Sequence, residues 1–158
     1  MPPATQSGQL LTFVVAGEEF GVDILRVQEI RGWSRPMPLP NMPPYIKGVI
    51  NIRGDIVPLA DLRERLGLPS VAYGPTTVIV VVRVEHAGRA QTMGVVVDAM
   101  SDVTSVAQDA LKPPPELHSG AVSMASGIAL VEQRMITILD VDRVFAAPNP
   151  RADADVAA

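Results

Sequence analysis

Two strand-like runs, Ile46–Ile52 and Asp55–Ala60, meet through Arg53-Gly54 and run straight into a short helical signal. No other segment restricts the fold as much. Glycine supplies the positive φ that a tight hairpin turn demands, and it leaves a charged arginine at the tip of an apolar hairpin. Asp61 is placed to cap the helix, Leu62 and Leu66 form its buried stripe, and Gly67 and Pro69 stop it. A similar unit recurs at Ala125–Leu139, where a hairpin is followed by Asp140. The echo suggests two similar half-barrels, although β-hairpins also resemble one another by chance.

The remaining chain reads as short strands and close turns. Leu10–Val15 and Glu19–Val22 form a first hairpin across Ala16-Gly17-Glu18, and Asp23 caps a helical turn through Ile24 and Leu25, with a strand resuming near Glu29. Five prolines between 35 and 45 make a stiff, donor-poor surface loop, with a disordered linker as the alternative. Thr76–Glu85 and Gln91–Asp98 pair around His86-Ala87-Gly88-Arg89, and Ser101–Val106 adds a strand. Lys112–Glu116 is an extended polyproline connector. Ser126–Val131 and Met135–Leu139 make the last hairpin, before an Asp140-capped helix at Val141–Phe145. Eight to ten short strands with β-branched content predict an all-β barrel or sandwich with short helices.

With 158 residues, 47% of them hydrophobic and 19% charged, the chain can bury a core and is about one domain long. A net charge of −4 without a basic cluster argues against nucleic acid and anionic membranes as partners. The chain has no cysteine, which excludes disulfides and thiolate sites. The longest apolar run, Val78–Val82, has five residues against the roughly 20 a membrane-spanning helix needs, and MPPATQSGQL lacks a signal-peptide pattern. The expectation is a cytoplasmic protein with flexible tails at 1–9 and 147–158 and no direct membrane insertion.

Catalytic signals are sparse. His86 lies in a turn and His118 in a proline-flanked loop, where solvated histidines are ordinary, and no metalloprotease, nucleophile-elbow or phosphate-loop pattern occurs. Asp98, Asp102, Asp140 and Asp142 are too dispersed for a calcium loop and are better read as solvated or capping groups. No metal or cofactor is expected. Glu29 and Arg53 stand apart, because each sits among apolar neighbours. Burying either alone is costly, whereas pairing them offsets much of the desolvation. From spacing alone, two separately solvated charges remain the simpler alternative.

Val27-Gln28-Glu29-Ile30-Arg31 followed by Asn51-Ile52-Arg53-Gly54 resembles the CheW family, the adaptor proteins of bacterial chemosensory arrays. The similarity extends from about Leu10 to Phe145. It includes Glu18–Leu25, Ile46-Lys47-Gly48-Val49, Ile56–Leu59, Asp61-Leu62-Arg63, Gly94–Asp98, Ser101-Asp102-Val103 and Arg134–Asp140, all in order, with Ile52 replacing the family's usual leucine. The resemblance implies a single domain over 10–146, built of two SH3-like five-stranded β-barrels sharing a core. The subdomains would be approximately 24–75 and 76–146, with 10–23 joining them.

By the same resemblance the chain is a non-enzymatic, stand-alone adaptor. It would couple chemoreceptors (methyl-accepting chemotaxis proteins), bound at their cytoplasmic tip, to the regulatory domain of the histidine kinase CheA. It would work at arrays on the inner face of the membrane, with room for weak self-association. The implied receptor groove comprises Val27, Glu29, Ile30, Gly48, Arg53 and Val103, bordered by Met93 and Met100, for which core filling is an equal reading. Ile128 and Leu130 are the implied kinase contact. A small-molecule or cation-binding β-barrel regulatory module using Asp98 and Asp102, and a hydrolase using His86 or His118, are the competing readings.

Overall fold

The computed structural model describes residues 7–86, 88–115 and 124–146. Eleven strands alternate with two short helices in this span: β1 Gln9–Val15, β2 Glu18–Asp23, β3 Val27–Gly32, β4 Ile46–Ile52, β5 Asp55–Asp61, α1 Leu62–Arg65, β6 Val78–His86, β7 Arg89–Val97, β8 Ala99–Ser105, β9 Leu111–Lys112, β10 Ala125–Val131, β11 Arg134–Leu139 and α2 Val141–Ala146. The expected all-β fold with short helices is what forms. The caps are as expected too. Asp23 accepts from the Leu25 amide at 3.1 Å, Asp61 from Arg63 at 2.9 Å, and Asp140 from Asp142 at 3.0 Å. Several boundaries moved. The strand expected near Glu29 starts at Val27, β6 starts at Val78 and not at Thr76, β8 starts at Ala99, and the β6–β7 turn is tighter than four residues, because His86 pairs directly with Arg89. Glu116 and His118 lie outside the described residues.

The strands form two sheets. One is ordered β3-β6-β7-β5-β4 and the other β8-β1-β2-β11-β10-β9. Among the described residues neither sheet closes strand against strand. Each is instead curled by the chain that leaves its first edge: Met37, beyond β3, pairs with Val49 of β4, and β9, beyond β8, pairs with β10. The 75/76 subdivision does not follow this hydrogen bonding. β6 and β7 belong with β3–β5, whereas β1 and β2 lie inside the sheet of β8–β11. The reason is that hairpins seek an unpaired edge wherever it lies in space, so sequence order does not confine them to one half.

The two sheets repeat one plan, so the weak echo in the sequence is structural. In the β4–β5 hairpin Ile46 pairs with Ala60 and, after a bulge, Gly48 with Leu59. In β10–β11 Ala125 pairs with Leu139 and, after the same bulge, Gly127 with Ile138. A parallel contact then joins Leu59 to Gly94 in one sheet and Ile138 to Gly21 in the other. Edge strands match as well: Ile30 pairs with Val80 and Val27 with Val82, while Val103 pairs with Leu11 and Met100 with Phe13.

Apolar side chains fill three layers. Ile50, Val57, Leu59, Ile79, Val81 and Val96 occupy the hollow of the five-stranded sheet, and Leu10, Val106, Ala129, Ile136 and Ile138 that of the other. Between the sheets lies the largest cluster, where Leu11, Phe13, Phe20 and Val22 meet Val80, Val82, Met93 and Val95 beneath Leu62 and Val141. β6 is therefore buried on both faces, which explains its unbroken apolar run.

Candidate partner-binding site

The Arg53-Gly54 turn has φ of +50° and +92°, the two left-handed residues of a tight hairpin, and the Asn51 side-chain oxygen accepts from the Gly54 amide at 2.7 Å. This geometry lifts Arg53 off the hairpin tip. Edge strand β3 presents Glu29 to it. Arg53 Nη2 lies 2.8 Å from Glu29 Oε1 and Nη1 3.5 Å from Oε2, with 76% of the arginine side chain exposed and 25% of the glutamate. The charged pair exists, at a rim and not in a core.

The other residues of the implied groove fall into two groups. Val27 and Met100 are half-buried and pack against the central cluster, while Ile30 and Val103 are exposed at 44% and 54% beside partners in that same cluster. These four sit at equivalent places on the two edge strands, where the interlayer core meets solvent. Met93 and Gly48 do not join them. Met93 is buried in the central cluster and serves as core filling. Gly48 is buried under the proline-rich loop: at its φ of +137° an added Cβ would lie 2.2 Å from the Met37 carbonyl oxygen. Its role is to let that loop close onto β4.

On the outer face of the last hairpin, Ile128 is half-buried and Leu130 is 41% exposed, opposite Met135 at 66%. The carboxylates considered for a cation are all engaged. Asp98 takes a bidentate guanidinium from Arg63, at 2.8 to 3.1 Å, and the Ala16 amide at 2.8 Å. Arg63 first, then that amide, hold its carboxyl below the usual range against the opposing effect of burial. Asp102 accepts from the buried Thr12 hydroxyl, from Thr104 and from Arg134, and its pKa is lowered chiefly by the two hydroxyls. Asp142 pairs with Arg26 and accepts from the Glu85 amide.

Sequence reasoning missed these clamps because their partners lie far apart in the chain. It also missed the Trp33–Tyr73 stack, 3.9 Å between ring centroids, whose tyrosine hydroxyl donates to buried Asp61 at 2.8 Å. Desolvation, with help from Asp61, pushes the Tyr73 pKa up. Nothing local marks such a contact. Among the described residues, no helix is long and apolar enough to cross a membrane and no group of three or more His, Cys, Asp or Glu could hold a metal ion.

Two like halves are joined face to face, with exposed aliphatic residues and a charged pair at their edge strands. Comparison with known proteins identifies the family. The CheW-like domain family matches residues 9–149. The chemotaxis protein CheW of Rhizobium meliloti (strain 1021) is 37% identical over 145 residues, 91% of each chain, and that of Bacillus subtilis (strain 168) is 32% identical over 138, covering 87% of this chain and 86% of its own. The crystal structure of the scaffolding protein TtCheW from Thermoanaerobacter tengcongensis superposes with a TM-score of 0.81 at 29% identity, over 94% of this chain and 96% of that one. The chain belongs to the CheW-like family, and like that family it is a scaffold and not an enzyme.

Proposed function

We propose that this protein is the coupling adaptor of a bacterial chemosensory pathway, binding the cytoplasmic tip of chemoreceptors and the regulatory domain of the histidine kinase CheA. The supporting observation is the Glu29–Arg53 pair, formed at 2.8 Å beside exposed Ile30 in a chain that matches CheW proteins along almost its whole length. The edge-strand residues Val27, Ile30, Met100 and Val103 would receive the receptor's helical hairpin, and the charged pair would help set its orientation. Leu130, with Ile128 and neighbouring Met135, offers the kinase an apolar outer face. Such a protein works in the cytoplasm, at receptor arrays on the inner face of the membrane.

The test is a pull-down with a receptor signalling fragment and the kinase, followed by phosphotransfer with and without this protein. Arg53→Glu should weaken receptor coupling while shifting stability by less than about 1 kcal/mol, since the Arg53 side chain is largely exposed. Unchanged kinase activation by that variant would remove the groove assignment.

A further inference from the structure

Resting on the adaptor reading, and going beyond it, the repeat within the fold says something about the shape and charge of what the two edge strands bind. Residues at matching register positions all enter the central cluster: Val80 and Leu11, Val82 and Phe13, Val95 and Val22, Leu62 and Val141. Each half therefore turns the same face toward the shared core, as the halves of an isologous, approximately two-fold arrangement do. The edge strands obey it. Val27, Glu29 and Ile30 on β3 occupy the places of Met100, Asp102 and Val103 on β8, with the same one-residue bulge.

Shape repeats across this approximate dyad, but charge does not. In the first half Arg53 lies foremost, 76% exposed, over a largely covered Glu29. In the second half Asp102 is the exposed member at 52%, and Arg134 is drawn back between it and Glu19, 3.2 Å from one and 2.7 Å from the other. The hairpin tips are reversed as well, for the position of Arg53 is taken by exposed Glu132, which shares its left-handed backbone at φ +56°. One half-site thus leads with a cation and the other with anions.

We propose that β3 and β8, both packed on the central cluster, flank one cleft whose two quasi-equivalent half-sites are fitted to two antiparallel helices, and that its charge polarity fixes their orientation. The helix over β3 carries a carboxylate that meets Arg53. The helix over β8 carries a basic side chain that meets Asp102 and Glu132. Two antiparallel helices share the approximate two-fold symmetry of the cleft, so shape alone would admit either orientation. Opposed charges reject the reversed one.

Titration calorimetry of the full chain with a soluble chemoreceptor cytoplasmic hairpin tests this, at low and at physiological salt. Arg53→Glu, Asp102→Asn and Glu132→Lys should each weaken binding by about five- to tenfold, more at low salt. Reversing the basic residue on the partner helix should restore binding to Glu132→Lys and not to Arg53→Glu. Asp102→Asn keeps the one oxygen, Oδ1, that accepts from both Thr12 and Thr104. Should it nevertheless lower the melting temperature, exposed Glu132→Lys decides the question. Loss with Arg53→Glu alone would overturn the second half-site and leave the adaptor reading standing. No binding by the unaltered protein would overturn that reading itself, and a cleft filled by a second copy in sedimentation would replace the helical partner.

Discussion

At Gly48 an added methyl group would sit 2.2 Å from the Met37 carbonyl oxygen, at a φ that L side chains rarely adopt. Gly48→Ala should cost at least about 2 kcal/mol, seen as a melting temperature lower by roughly 4–8 °C. Wild-type melting would mean that the proline loop lifts from β4 without penalty. Three carboxyls set the acid limit. Glu19, lowered chiefly by Arg134, Asp98, lowered chiefly by Arg63, and Asp102, lowered chiefly by Thr12, all lie below the usual range. The native protein then binds fewer protons than the unfolded chain, so the stability they contribute is present above the ordinary carboxyl value of about 4. It is lost as pH falls through the lower native values. Urea midpoints should be level from neutrality to about pH 5 and fall in more acid solution. Asp98→Asn should flatten part of that fall, and an unaltered acid limb would remove the Arg63 contact as its cause. Capping aspartates were legible in the sequence because a cap acts on its own neighbours. Asp98 was not, because its partner Arg63 reaches it only through tertiary packing.

Within a strand, parity decides burial. Leu59 and Ile56 are both in β5, yet Leu59 is fully buried in the hollow of its sheet and Ile56 is 65% exposed. Leu59→Ala should cost about 2–5 kcal/mol in denaturant titrations, and Ile56→Ala within about 0.5. Equal losses would contradict the β4–β5 register. The hairpins were legible because turn chemistry and alternating polarity are local signals. β9 was not, since Leu111–Lys112 is a strand only because β10 offers an edge to it. Val78–Val82 was visible as an apolar run, but the sequence did not show that its alternate residues face two different cores.

Over the whole molecule, a central cluster shared by both sheets predicts one cooperative transition. Trp33, the only tryptophan, packs on the hollow of the five-stranded sheet, whereas Phe13 belongs to the other sheet. Phe13→Ala should therefore lower the unfolding midpoint reported by Trp33 fluorescence as much as that reported by circular dichroism, for a loss of about 3–5 kcal/mol. Two separated transitions would show that the halves unfold independently. The sequence alone determined the hairpins, the capped helices, the all-β class and the arginine at a turn tip, because each follows from bond geometry and alternating polarity within a few residues. It also carried a faint trace of the repeat. Tertiary structure decided which hairpin joined which sheet, that Glu29 and Arg53 meet while Gly48 and Met93 are buried, and that the two edge strands correspond. Those outcomes depend on which edges and apolar faces are left unpaired once the local elements exist, and that is a property of the assembled molecule.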